Sequence, residues 1–308
     1  MVTLLVGTGE GLVELGAEGA VARVHLKGRD VQAIAGDPTG WWALVEGAEV
    51  WHADQDRDQW RRVAAAPDST RLTCLLADLD GLLVGTAGAH LLRLNDHGEL
   101  APVEGFRQLE GRSDWYTPWG GPPDTRWLSA GADGARLANV HVGGIVASSD
   151  GGRSWRQTSL DIHADVHQVL VVPDDPSRVL AACAQGLAVS DDHGATWRID
   201  DEGLHATYAR AVAVAGDTTV LSVSTGPDGH QSALYRRSSA KTAPFERCRD
   251  GLSEWLAGNV DTGCLVAAGD TVAAADPEGA VFLSDDRALT WARVSAELSP
   301  TRCLALVV

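Results

Sequence analysis

The chain of 308 residues is poor in lysine, with Lys27 and Lys241 alone, and its 25 basic residues face 42 acidic ones for a net charge of −17. Nucleic acid and anionic membranes both ask for a basic surface, so neither is expected as a general partner. No apolar run approaches the length of a membrane-spanning helix. The opening MVTLLVGTGEG lacks the basic start and long apolar stretch of a secretory signal. The five cysteines, Cys74, Cys183, Cys248, Cys264 and Cys303, are odd in number and mostly lie inside apolar runs. They read as reduced, buried thiols, and the expected compartment is the cytoplasm. CxxC, Cys/His knuckle and HExxH patterns are all missing. GTGEGL (7–12) imitates a dinucleotide-binding glycine loop, but its third glycine is displaced and no helical pattern follows. Helical periodicity is weak throughout.

What the chain has is repetition. VHQVLVV (166–172), RVLAACA (178–184), LAVS (187–190) and TWRI (196–199) are short apolar runs separated by turn residues, which predicts a four-stranded antiparallel meander. The same four-beat pattern starts again near Asp30, Arg71, Arg126 and Ala209, and at GCLVAAG (263–269). The chain begins with the second and third strands of such a unit and ends in TRCLALVV, a first strand with no successor. Joining the ends makes a seventh unit, at a mean spacing of about 44 residues, within the range for propeller blades. The expected fold is an all-β, seven-bladed propeller of four-stranded antiparallel blades, one domain over 1–308. Residues 301–308 plus 1–27 would form the first blade, so that the C-terminal strand closes the ring and removes an open edge.

Three turns share one pattern: SSDGGRSW (148–155), SDDHGATW (190–197) and SDDRALTW (284–291), the last with Ala288 in place of glycine. ADQDRDQW (53–60) is a worn relic of it. The three turns resemble Asp-boxes, or BNR repeats, of sialidase-like β-propellers. The strings WYTPWGGPPDTR, NVHVGG, DVHQV and GLHATYARAVAV resemble an actinobacterial branch of that family. The resemblance implies that each turn joins the third and fourth strands of a blade, on the face away from any ligand. It names a fold and leaves the function open.

The facing loops are where chemistry is expected. The longest, 104–125, is well beyond an ordinary connection and carries Trp115, Tyr116 and Trp119. These suit stacking on a sugar or planar ligand, or plugging the channel mouth. Aligning the blades puts Gln32, Thr73, Arg126, His167, Arg210, Arg302 and Asp261 or Thr262 at first-strand starts. Arg126, Arg210 and Arg302 would bind an anionic ligand or be neutralised by Asp124, Asp165 and Asp261. His141, His163, His167, His205 and His230 belong to three consecutive blades. With Asp261, the set His141, His167 and His205 suits acid–base work, and His141 with His167 suits a divalent transition metal. The sialidase resemblance implies an arginine triad and a tyrosine nucleophile, for which Arg126, Arg210, Arg302 and Tyr208 are present. The Arg-Ile-Pro motif is missing, however, and sialidases have six blades. Two functions follow: a hydrolase or lyase, metal-assisted or not, acting on an anionic or glycan-like small molecule at the channel mouth, or a non-catalytic propeller that binds a ligand or protein. Nothing in the sequence sets an oligomeric state.

Overall fold

In the computed structural model, which describes residues 2–16, 18–67, 69–118, 120–158, 161–238, 243–295 and 298–307, nearly every ordered element is a strand. The strands form seven four-stranded antiparallel sheets. The fold class is therefore the seven-bladed β-propeller that the repeats predict. The C-terminal strand Thr301–Val307 pairs with Thr3–Thr8, and Gly11–Gly16 and Val21–His25 complete that first blade. No helix among the described residues is long and apolar enough to cross a membrane.

Chain contacts divide the fold into two compact units. One holds Met1–Val31, Ala182–Ala188 and Ile199–Val308; the other holds Gln32–Ala181 and Val189–Arg198. Within each, the middle strands of a blade are covered on both faces, so they read as continuous apolar runs rather than alternating ones. Arg136–Val140 and Gly144–Ser148 are buried along their whole length, whereas the outer strand Arg156–Gln157 of the same blade is exposed.

The string LLVGT occurs twice, at 4–8 and 82–86, and both copies solve one packing problem. Gly85 lies against Cys74 of its own blade and Thr125 of the next; a Cβ there would sit 2.5 Å from Cys74 Sγ and 3.0 Å from the Thr125 carbonyl oxygen. Gly7 stands in the same way between Cys303 and the Val31 carbonyl. Each thiol points at that carbonyl, Cys74 at 3.6 Å from Thr125 O and Cys303 at 3.7 Å from Val31 O. Burial pushes the Cys74 thiol up to about 12, so it packs as a small apolar group.

The three serine–aspartate turns join third to fourth strands. In the first, Ser148 Oγ accepts the Gly152 N–H at 2.9 Å, Asp150 accepts the N–H groups of Arg153 and Ser154, and Trp155 Nε1 donates to the Gly152 carbonyl. The turn at 190–197 repeats every one of these bonds. The Thr196 N–H foremost, with the Thr196 and Ser190 hydroxyls, holds the Asp192 carboxyl down at about 2. In the third turn Ala288 takes the glycine's place at φ 65°, and its N–H still reaches Ser284 Oγ at 3.0 Å.

The long loop is folded, with a short helix Glu104–Arg107 and a 3-10 turn Arg112–Asp114. Phe106 is fully buried, edge-on to Trp155 with ring centres 5.3 Å apart, and Trp115 lies beside it at 6.3 Å. Arg112 covers both rings and donates to the carbonyls of Ala89 and Phe106.

The close approach at the repeated glycine gives a direct test. Gly85→Ala should lower unfolding free energy by about 1–3 kcal/mol, the range for overpacked cores. Gly226→Ala, where an added Cβ meets nothing within 4 Å, should be near neutral. Equal urea midpoints for the two variants would contradict the packing described.

Candidate functional site

The unit containing Gln32–Ala181 holds a carboxylate gripped by two imidazoles. His141 stands in the turn between Arg136–Val140 and Gly144–Ser148, with its N–H donated to the Asp124 carbonyl at 2.9 Å. Asp165 comes just before the first strand of the next blade, Val166–Val172, and His167 is that strand's second residue. Asn139, fully buried, pins this strand start by donating Nδ2 to the carbonyls of Val166 at 2.9 Å and His167 at 3.3 Å. Asp165 Oδ1 then lies 3.3 Å from the Nε2 atoms of both His141 and His167. The Asp165 N–H is donated to His163 Nδ1 at 3.0 Å. The His167 side chain is fully buried, while those of His141 and Asp165 are 22% and 20% exposed.

Burial by itself would raise the Asp165 carboxyl, but the two imidazoles beside it, His141 and His167, outweigh that and hold the group far below the usual carboxylate range. Asp165 is thus an ionised, partly buried carboxylate with both rings 3.3 Å from one of its oxygens. Such an arrangement can position His141 for proton transfer, or receive an N–H donor or cation from a ligand.

The arginines are committed elsewhere. Arg210 Nε donates to Asp261 at 2.5 Å, Arg302 Nε to Asp30 at 3.1 Å, and Arg71 Nη2 to Asp124 at 2.5 Å. Arg237 is bidentate on Asp200 beneath the Phe245 ring. Asp261, expected as the carboxylate of the histidine set, is therefore an arginine partner, and Asp165 fills the role assigned to it. The reason is chain position: Asp165 leads the strand that carries His167, whereas Asp261 leads the blade after Arg210. Tyr208 Oη accepts from Arg210 Nη1 at 3.3 Å. Two hydroxyls expected near the first strands also bridge blades, Thr73 to the Thr125 carbonyl at 2.5 Å and Thr262 to the Arg210 carbonyl at 3.0 Å.

Of the histidines, the structure joins His141 and His167 but gives His205 other partners. His205 Nδ1 lies 2.9 Å from Tyr235 Oη and Nε2 3.0 Å from the Gln231 carbonyl, with the Trp255 ring 5.1 Å away. Trp115, expected to stack on a ligand, is packed inside the loop instead, because Phe106 and Arg112 cover it. Tyr116 is 65% exposed. Gln32, half-buried, places its Oε1 beside Gly47. Arg126 is half-buried in the strand Thr125–Ala130, and Trp119 lies outside the described residues. Among the described residues, no group of three His, Cys, Asp or Glu side chains is placed to hold a metal ion. A mainly apolar cavity of about 270 Å³ lies at the serine–aspartate end of the blades, between Leu137, Ala147, Val171 and Val179, with His193 rather than His141 or His167 on its wall.

No family model matches the sequence, and no curated protein matches it. Solved structures do. An ancestral GH74 enzyme superposes with a TM-score of 0.60 at 13% identity, over 92% of this chain but 37% of its own, so this chain spans well under half of that enzyme. YCF48 bound to D1 peptide superposes at 0.58 and 16% identity, over 85% of this chain and 81% of its own. A computationally designed protein gives 0.60 at 14% identity, over 94% and 83%. At these identities the likeness establishes the β-propeller fold.

The Asp165 carboxyl carries a sign that can be checked. Its folded value lies below the unfolded value of about 4, so its stabilisation is present above that pH and is lost only as pH falls through the folded value. Carbon-13 titration of the Asp165 carboxyl should show it ionised down to about pH 3; a midpoint at or above the unfolded value would contradict the clamp. Asp165→Asn should cost about 1–3 kcal/mol in chemical unfolding, the range for leaving a buried polar group without its partner.

Proposed function

We propose that this chain is a non-catalytic binding propeller that recognises a basic polypeptide segment, with the His141–Asp165–His167 cluster as a contact. The observation that supports this most is the commitment of Arg71, Arg210, Arg237 and Arg302 to aspartates within the fold. With those cations neutralised, the field offered to a partner is that of a protein with net charge −17, which draws in cationic groups. Asp165, ionised and partly exposed, supplies a fixed acceptor for a lysine or arginine head group. A neighbour of similar length and the same fold is itself bound to a peptide. The three serine–aspartate turns are Asp-boxes on this reading, and they belong to the scaffold.

A second reading has one observation of its own. Asp165 Oδ1 lies 3.3 Å from His141 Nε2, a pairing of carboxylate and imidazole that a general base can use, and this would suit a hydrolase or lyase acting on a small anionic or glycan-like substrate. Paired arginines weaken the anionic half of that reading.

Fluorescence anisotropy with short labelled peptides that differ only in lysine and arginine content separates the two. Affinity should rise with basic content, fall with added salt, and drop about tenfold, or about 1.4 kcal/mol, in Asp165→Asn. Equal binding of neutral and basic peptides, or no binding of either, would overturn the reading.

A further inference from the structure

In the second blade, the loop between Glu49–Ala53 and Arg61–Ala65 occupies the position that the serine–aspartate turn takes elsewhere, but its chemistry differs. Its sequence, ADQDRDQW, alternates Asp54, Asp56 and Asp58 and ends at Trp60. These side chains line a cavity of about 320 Å³, together with His52 and Arg61. Three carboxylates against one guanidinium make the lining acidic, and Trp60 gives it an aromatic wall.

His52 adds an independent observation. It is only 7% exposed, and its buried Nε2 has no hydrogen-bond partner among the described residues. Burial first, then the charge of Arg61, lowers its basicity, against the opposing pull of Asp37 and Asp54. The ring is therefore neutral near pH 7, and in the Nδ1–H tautomer its Nε2 presents a lone pair. A buried acceptor without a donor is costly, and one that lines a cavity is satisfied by whatever ligand brings an N–H into it.

We propose that this loop forms a pocket for an alkylammonium group, such as a lysine side chain or an aliphatic diamine. The ammonium supplies three N–H donors, enough for His52 Nε2 and two carboxylates. Its methylene stem runs along Trp60, whose π face also attracts the cation. A carboxylate or phosphate ligand would meet the three aspartates and be repelled. The pocket lies in another blade from His141 and Asp165, and its argument does not depend on the peptide reading.

The test uses the full-length protein and nuclear magnetic resonance, following the Trp60 indole N–H, assigned with Trp60→Phe, and the His52 ring. Added 1,5-diaminopentane should shift both signals saturably, and 1-pentanol, its uncharged counterpart, should not. The double variant Asp54→Asn/Asp58→Asn, its fold checked first by its melting profile, should weaken the diamine about fivefold or more, close to 1 kcal/mol. His52→Gln, which restores an acceptor without the ring, should bind more weakly than the native protein but remain saturable. Absence of a saturable shift, an equal response to 1-pentanol, or an unchanged affinity in the folded double variant would overturn the proposal. So would calcium chloride producing the same shifts and displacing the diamine, because the loop would then be a cation site of another kind. Failure here leaves the peptide anisotropy result untouched, so the two ideas fall separately.

Discussion

A carboxylate at or just before a blade's first strand meets a basic side chain from the blade before it, and this pairing recurs at four blade starts. Asp30 receives Arg302, Asp124 receives Arg71, Asp165 receives His141, and Asp261 receives Arg210. The acid stands at or just before the first strand in each case, and the donor comes from the preceding blade. Bonds from Thr73 to Thr125 and from Asn139 to Val166 follow the same blade-to-blade direction. Exposed ion pairs of this kind are each worth about 0–1 kcal/mol. They do not carry the fold's stability, which rests on apolar contacts such as those of Leu44, Leu72, Ile145, Leu180 and Phe106, all fully buried. Their effect is on charge: they neutralise the very cations that would have made an anion site.

The histidine pair is the exception that gives the fold a chemical feature. Where Asp30, Asp124 and Asp261 each meet an arginine, Asp165 meets two imidazoles on one oxygen, with one ring fully buried and the other partly open. Imidazoles can lose or gain a proton near neutrality, which guanidinium groups do not. The carboxylate between them is held far below the usual carboxylate range and stays ionised.

The strand pattern, the blade count and the joining of the chain ends were all readable from the sequence, because short apolar runs, turn residues and the spacing of Ser, Asp, Gly or Ala, Ser or Thr, and Trp in three turns are local properties. His141 and His167 were identifiable as a pair from NVHVGG and DVHQV. The carboxylate between them was harder to assign. Asp165 lies two residues from His167, yet in sequence it differs little from Asp124 or Asp261, and only the three-dimensional order of strand starts decides which acid meets which cation. Trp115 misled for a related reason. A tryptophan in a glycine- and proline-rich loop looks available for stacking, but Phe106, whose burial no periodicity announces, draws it into the core. In ADQDRDQW, similarity to the other turns hid the alternation of aspartates that lines a cavity.

The most direct measurement is the protonation pattern of the two imidazoles, read from long-range proton–nitrogen correlation spectra at neutral pH. The account predicts that His141 and His167 each carry a proton on Nε2, directed at Asp165 Oδ1. A bare Nε2 on either ring would mean that the carboxylate is not held between them, and the site built on that clamp would not stand.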